Sequence, residues 1–290
     1  MRRIGLHARS AGSLAGTAER AHDLGANTLQ IFTSSPRMWR GSTHSPAEIA
    51  ALRRVRERLD LAPLVVHDNY LINLASADPT VRTRSIETFR GELERAALIG
   101  AEYLVAHPGS AKGIAVEQAL ANVVEGIVEA SRGLDPGGLT LLLECTAGAG
   151  AALGARFEEL RALREVTANL VNVPVGFCLD TCHLFAAGFD IATPGGLRQT
   201  AAEIGDVLGW DHVKVVHAND SKGALGSRLD RHENIGEGQI GKEGFRRVLA
   251  HPEFRRLPFI LETPMETDND ARRDIDMLRT LCQRSRTITQ

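Results

Sequence analysis

Short apolar runs alternate with stretches of mixed polarity along the chain, and the alternation repeats eight times. The runs Arg3–His7, Thr28–Thr33, Leu64–His67, Tyr103–His107, Thr140–Glu144, Gly176–Asp180, Val213–His217 and Phe259–Thr263 read as strands. Most are continuous rather than alternating, as expected where both faces of a parallel sheet are covered. The segments between them carry helical spacing. In "DPTVRTRSIETFRGELERAALIG", Asp78 can cap a helix and Pro79 can take its first position, which puts Ile86, Phe89, Leu93 and Ala97 on one face. Val116, Leu120, Val123 and Ile127 make a similar face in the next segment.

Eight strand–helix units in 290 residues predict an α/β fold, a (β/α)8 TIM barrel. No Pro/Gly/Ser-rich linker divides the chain, so one barrel over residues 1–290 is expected. An open doubly wound sheet would want G-x-G-x-x-G after the first strand, and "GLHARSAGSLAG" does not supply it.

Composition narrows the setting. The apolar fraction is 43% and the charged fraction 24%, ordinary for a globular protein. No apolar run approaches the ~20 residues that cross a bilayer, and "MRRIGLHARSAGSL" has no apolar stretch behind its arginines, unlike a secretory signal. The four cysteines form no C-x-x-C pair. A reduced, cytoplasmic protein is expected, with no membrane partner. The net charge of −2 argues against indiscriminate nucleic-acid binding but leaves room for a local basic groove.

The chemistry sits at the strand ends. His7, His67, His107, Glu144, Asp180, His217 and Glu262 close seven of the eight strands, and in a barrel these ends converge on one face. A lone histidine there is usually a hydrogen-bonded core residue and a lone aspartate a helix cap. Several ionisable groups in one buried cavity need compensation, and divalent cations supply it most simply. "LDTCH" adds His183 three residues after Asp180, and "LDRH" offers Asp230 and His232. The candidate ligands are therefore His67, His107, Glu144, Asp180, His183, His217, Asp230, His232 and Glu262. Nine exceed the needs of one ion, and imidazoles with carboxylates suit Zn²⁺ or Mn²⁺. Glu144 can bridge two ions. His7 stands between a supporting partner and a core residue, while Cys145, Cys178 and Cys182 read as buried structural thiols. Clustered metals favour in-line phosphodiester hydrolysis by a metal-activated hydroxide. No G-x-S-x-G elbow, P-loop or reactive-cysteine motif offers a competing nucleophile.

The blocks "HDNYLINLAS", "HPGS", "ECTAGAG", "LDTCHLFAAGFD", "HANDSKGALGSRLDRHENIGEGQIG" and "LETP" resemble, in order and over essentially the full chain, the endonuclease IV family of apurinic/apyrimidinic endonucleases. The resemblance implies a xylose isomerase-like TIM barrel with three Zn²⁺ held by the same nine residues. It implies a DNA-repair enzyme that hydrolyses the phosphodiester 5′ to an abasic site in damaged duplex DNA. The products would be a 3′-hydroxyl and a 5′-deoxyribose phosphate, with cleaning of 3′ ends a related activity. In that reading Glu144 bridges two ions and orients or deprotonates the attacking water. His67 and His107 hold one side, Asp180, His217 and Glu262 the other, and His183, Asp230 and His232 build the third position. Arg37, in "SSPRMWRG", and Tyr70 and Leu71, in "HDNYLIN", fall where the family inserts side chains into the duplex, in keeping with the cost of flipping a nucleotide. Lys112, Lys222, Arg228 and Arg231 lie in loops that could meet phosphates. No organic cofactor is implied, and a monomer is expected. The chain departs from the family pattern at Ser13, Met38 and Cys145, none of them a ligand position.

Two rival readings differ in class. A xylose isomerase-like sugar isomerase or epimerase would use only the Glu144, Asp180, His217 and Glu262 subset, leaving the other five without a role. A protein that binds abasic DNA without cutting it would be expected to have lost a ligand, and none is missing.

Overall fold

A computed structural model of the chain describes residues 2–286. Met1 and residues 287–290, which the expected span of 1–290 includes, lie outside the described residues. In chain order the elements are β1 (Ile4–His7), α1 (Leu14–Asp23), β2 (Leu29–Ile31), α2 (Pro46–Leu59), β3 (Leu64–His67), α3 (Pro79–Ile99), β4 (Tyr103–Ala106) and α4 (Val116–Ser131). There follow β5 (Thr140–Glu144), α5 (Phe157–Ala168), β6 (Val175–Asp180), α6 (Thr181–Ala187), α7 (Pro194–Glu203), β7 (Val213–His217), β8 (Asp220–Ser221), β9 (His232–Glu233), α8 (Gly241–Ala250), β10 (Phe259–Leu261) and α9 (Asp268–Arg286). Parallel pairing in the order β1-β10-β7-β6-β5-β4-β3-β2 closes a barrel, and β8 and β9 form a separate antiparallel pair. Among the described residues no helix is long and apolar enough to cross a membrane.

Two apolar clusters hold the barrel together. The larger joins the outward faces of the strands, through residues such as Leu64, Val66, Leu104, Leu141 and Leu143, to helix residues such as Leu52, Phe89, Leu93 and Leu160. The smaller is a ring inside the lumen: Val65, Val105, Leu142, Cys178, Val215 and Ile260. Strands buried on both faces explain the continuous apolar runs in the sequence.

The eight expected barrel strands are all present, β3, β5 and β7 with the expected bounds and the others shifted. β2 is shorter than Thr28–Thr33, β6 starts at Val175, and β4 and β10 stop just before His107 and Glu262. The β8–β9 pair has no signature in the sequence, since two-residue strands carry no periodicity. In α3, Asp78 caps as expected, accepting from the Thr80 and Val81 amides at 2.8 and 3.1 Å, and Gly100 ends the helix at φ 75°. Ile86, Phe89 and Leu93 are buried, with Ala96 rather than Ala97 in the next place. The α4 face differs more. Ala119, Val123, Gly126, Ile127 and Ala130 are buried, whereas Val116 is exposed and Leu120 half-buried. A Cβ at Gly126 would stand 3.1 Å from Leu74, so α4 packs closely through its small residues, and burial follows them rather than the largest side chains.

Replacing Asp78 with Ala strands two amide donors at the start of α3. The expected cost is about 1 kcal/mol, read as a lower midpoint in denaturant unfolding with an unchanged slope.

Candidate metal centre

Side chains along a strand alternate between its two faces. His67, His107, Glu144, Asp180, His217 and Glu262 each stand two residues beyond a member of the inner apolar ring, and so face the lumen one level higher. The same period brings in His7 and Gln30, which pair in register as neighbours. All eight inward positions at the C-terminal rim are therefore polar, and beneath six of them lies an apolar floor.

Glu144 lies at the centre with no exposed surface. Its Oε2 is 3.3 Å from His67 Nε2 and 3.4 Å from His107 Nε2, and its Oε1 is 2.8 Å from His217 Nδ1 and 3.5 Å from His183 Nδ1. Ligand atoms gather in three sets, each lying within 4.8 Å of one another: His67, His107 and Glu144; Glu144, Asp180, His217 and Glu262; and His183, Asp230 and His232. These three sets contain all nine candidates, and the first two share Glu144.

The donor atoms converge, and not all of them satisfy each other. His183 Nε2 and His232 Nε2 are buried and make no hydrogen bond, although Asp230 Oδ1 lies 3.1 and 3.4 Å away. Buried polar atoms are seldom left in this state, and aligned lone pairs around a common point fit a cation of N/O preference. Cys178 and Cys182 also approach these sets. Cys178 belongs to the apolar floor, where burial pushes its thiol well up; burial likewise raises Cys182 to about 12. Both stay protonated and fit a structural role.

The far nitrogen of most imidazoles is held by an acceptor that fixes its tautomer. His67 Nδ1 donates to Asp68 O (3.0 Å), His183 Nδ1 to Cys145 O (2.9 Å) and His232 Nδ1 to Glu262 O (3.1 Å). His217 is inverted: its Nε2 meets Gln30 Oε1 at 2.8 Å and its Nδ1 faces Glu144. The Asp180 Oδ1 atom caps α6 through the His183 amide at 2.9 Å, while Oδ2 accepts from Asn219 Nδ2 at 2.6 Å. Asp180 is thus both a helix cap and a member of the site. His7 Nδ1 lies 3.0 Å from Glu262 Oε1, within reach of a supporting contact.

Asp230 and His232 come from a long loop with little regular structure. Asp220, fully buried, organises it by accepting from the amides of Ser221, Gly236, Gly238, Ile240 and Gly241. A Cβ at Gly238 would lie 2.5 Å from Ser221 O, so only glycine closes this turn. Sequence reading missed Gln30, Asn219 and Asp220. The available signals were a buried-strand glutamine in "TLQIF" and the polar "AND" directly after a strand.

Burial alone would raise the Glu144 pKa, but His217 and His107 beside it, with contacts from His183 and His217, hold it well below the usual range. Burial lowers His67, yet its contact with Glu144 and the charges of Glu262, Glu144 and Asp68 outweigh this and raise it to about 10. His232 is depressed by burial and carried up to about 9 by Asp180 and Asp230. His107 is lowered, chiefly by burial.

The residues expected to insert into DNA stand above the centre. Arg37 is exposed, Tyr70 is 57% exposed and Leu71 half-buried. The Tyr70 ring packs edge-on to Phe32 at 5.2 Å and 5.9 Å from the His67 ring. Their two loops are tied together: the Tyr70 amide donates to Pro36 O (3.1 Å), and Asn69 Nδ2 to Ser35 O and Met38 O (3.1 and 2.6 Å). Tyr70 borders two clefts. One, of about 760 Å³, reaches His232 and Glu262; the other, of about 300 Å³, reaches His107, His183 and Asp230. Lys112, Lys222, Arg228 and Arg231 are exposed.

Residues 18–281 match the family model of the xylose isomerase-like TIM barrel. A protein of Solibacter usitatus (strain Ellin6076) named probable endonuclease 4 is 56% identical over 279 residues, 96% of each chain. The crystal structure of endonuclease IV from Thermus thermophilus superposes with a TM-score of 0.84 at 39% identity, covering 97% of this chain and 99% of that one. A D-tagatose 3-epimerase-like protein matches with a TM-score of 0.73 at 22% identity over 99% and 100% of the chains, a likeness of fold alone.

The raised imidazoles predict a pH response of the chelator-treated chain. Folded-state values of about 10 for His67 and about 9 for His232 exceed the ordinary 6.5. Their contribution to stability is complete below pH 6.5 and is lost as pH rises through 9 and 10. Melting temperatures should therefore fall across that window; a flat profile would contradict the described pairing with carboxylates.

Proposed function

The chain belongs to the endonuclease IV family, on a xylose isomerase-like TIM barrel, and from that premise we propose that it hydrolyses the phosphodiester 5′ to an abasic site in damaged duplex DNA. A DNA-cleaving hydrolase with a role in DNA repair is the general activity of this family; the bond, the products and the residue roles are our reading. The observation that carries it is the sharing of Glu144 between two of three adjoining donor sets.

His67 and His107 with Glu144, Asp180, His217 and Glu262 with Glu144, and His183, Asp230 and His232 would each hold a divalent ion. The all-N/O donor set supports Zn²⁺, with Mn²⁺ as the second candidate. Such ions would bind the non-bridging phosphate oxygens, acidify a water and stabilise the leaving oxygen. Glu144 orients the attacking water and takes its proton. The water oxygen bonds to phosphorus as the P–O3′ bond breaks, and the departing 3′ oxygen gains a proton to become the 3′-hydroxyl. The phosphate remains on the 5′-deoxyribose side. Because the centre acts on the phosphate and not on the missing base, 3′-blocking phosphate esters fit the same reading. Tyr70 and Leu71 would fill the gap in the base stack and Arg37 would enter from the groove, offsetting the cost of unstacking. Tied loops that project exposed side chains beside the donor sets support that role. The sugar-epimerase reading is supported by fold alone and leaves the third donor set without work.

A labelled duplex with one tetrahydrofuran site, which cannot undergo β-elimination, tests the reaction. The expected result is a single cut on the 5′ side leaving a 3′-hydroxyl, lost after prolonged chelation and restored by Zn²⁺ or Mn²⁺. Metal-replete protein that leaves this duplex intact would sink the reading. In the same assay Glu144→Gln should keep the fold and lose on the order of 10²-fold or more in rate; a near-normal rate would remove Glu144 from its role.

A further inference from the structure

Of the eight inward positions at the rim, Gln30 alone carries no ionisable group, and it is completely buried. Its strand, β2, is separated from β7 by β1 and β10 in the barrel order, so its side chain reaches across the lumen. Oε1 lies 2.8 Å from His217 Nε2; Nε2 lies 2.5 Å from Glu262 Oε1 and 2.9 Å from His7 Nδ1. The company fixes the orientation of the amide, since the reverse placement would set its oxygen against the Glu262 carboxylate.

We propose that Gln30 is a positioning residue for the donor set of Glu144, Asp180, His217 and Glu262. This rests on the reading of that set as an ion site. A neutral imidazole has one proton. Giving it to Gln30 from Nε2 leaves the His217 lone pair on Nδ1, 2.8 Å from Glu144 and 3.4 Å from Glu262 Oε2. The amide hydrogens of Gln30 hold Glu262 Oε1, which leaves Oε2 turned toward His217. One uncharged group therefore sets the tautomer of one ligand and the rotamer of another, adding no charge to a crowded site. His7 backs the arrangement from β1. Partners of this kind typically contribute about 10–100-fold to metal affinity or activity.

The test compares wild type with Gln30→Met, which keeps the bulk and removes the amide's contacts with His217, Glu262 and His7. Ion content is measured by plasma emission after desalting against a graded zinc chelator, alongside cleavage of the tetrahydrofuran duplex. Gln30→Met is expected to lose one ion per chain at a chelator concentration about 10–100-fold lower than wild type. Ion retention is read on folded protein well below the melting temperature of the metal-free chains, so that stability lost with the buried hydrogen bonds does not by itself release the ion. Equal ion retention and rate in Gln30→Met and wild type overturns the proposal. Should Gln30→Met fail to fold, Gln30→Ala takes its place with the same expectation. Wild type that retains its ions but does not cut would defeat the proposed reaction and leave the ion-retention result to decide the role of Gln30.

Discussion

The Glu144 carboxylate is wholly removed from water and is met by imidazoles from β3, the end of β4, α6 and β7. A carboxylate in that position is intolerable unless positive charge surrounds it. Only closure of the barrel brings those imidazoles together, since they are far apart in sequence. Fold and site are thus one requirement. The strands supply a rim in which every inward position is polar, and the ring of Val65, Val105, Leu142, Cys178, Val215 and Ile260 beneath it keeps water from relieving the charge from below.

The loops answer a second constraint. Asp230 and His232 must reach the centre from a segment without helix or long strand, so their placement depends on fixed turns. Asp220 gathers five backbone amides, and Gly238 permits an approach no side chain would allow. Asn219 joins this corner to the next by holding Asp180 through its amide nitrogen and the Glu262 amide through its oxygen (2.9 Å). Short polar residues at and just before β8 thereby give the loop a definite shape.

Most of this architecture is legible in the sequence because two physical signals are strong there. Continuous apolar runs of strand length mark a covered parallel sheet, and ionisable residues at strand ends mark the open face of a barrel. The nine candidate ligands follow from that pattern and from the two short motifs, and the structure gathers them into adjoining sets. Gln30 escapes because β2 ends earlier than its apolar run, which leaves a neutral residue in mid-strand where a terminal charge is sought. The face of α4 is misread because small residues govern its approach, and hydrophobicity alone does not report how near two backbones come. The tying of the Arg37 and Tyr70 loops by Asn69 is invisible, since it depends on carbonyls brought close by the fold.

The apolar floor has one more effect. It fills the lumen beneath the rim, so on the reading proposed above ions, water, chelator and nucleic acid would all approach from the rim side. On that reading, a duplex lying across the rim would act as a stopper. Loading would then precede docking, and a docked substrate would trap whatever ions were already inside for as long as it stayed. The order of events would follow from the shape of the barrel, without a moving gate.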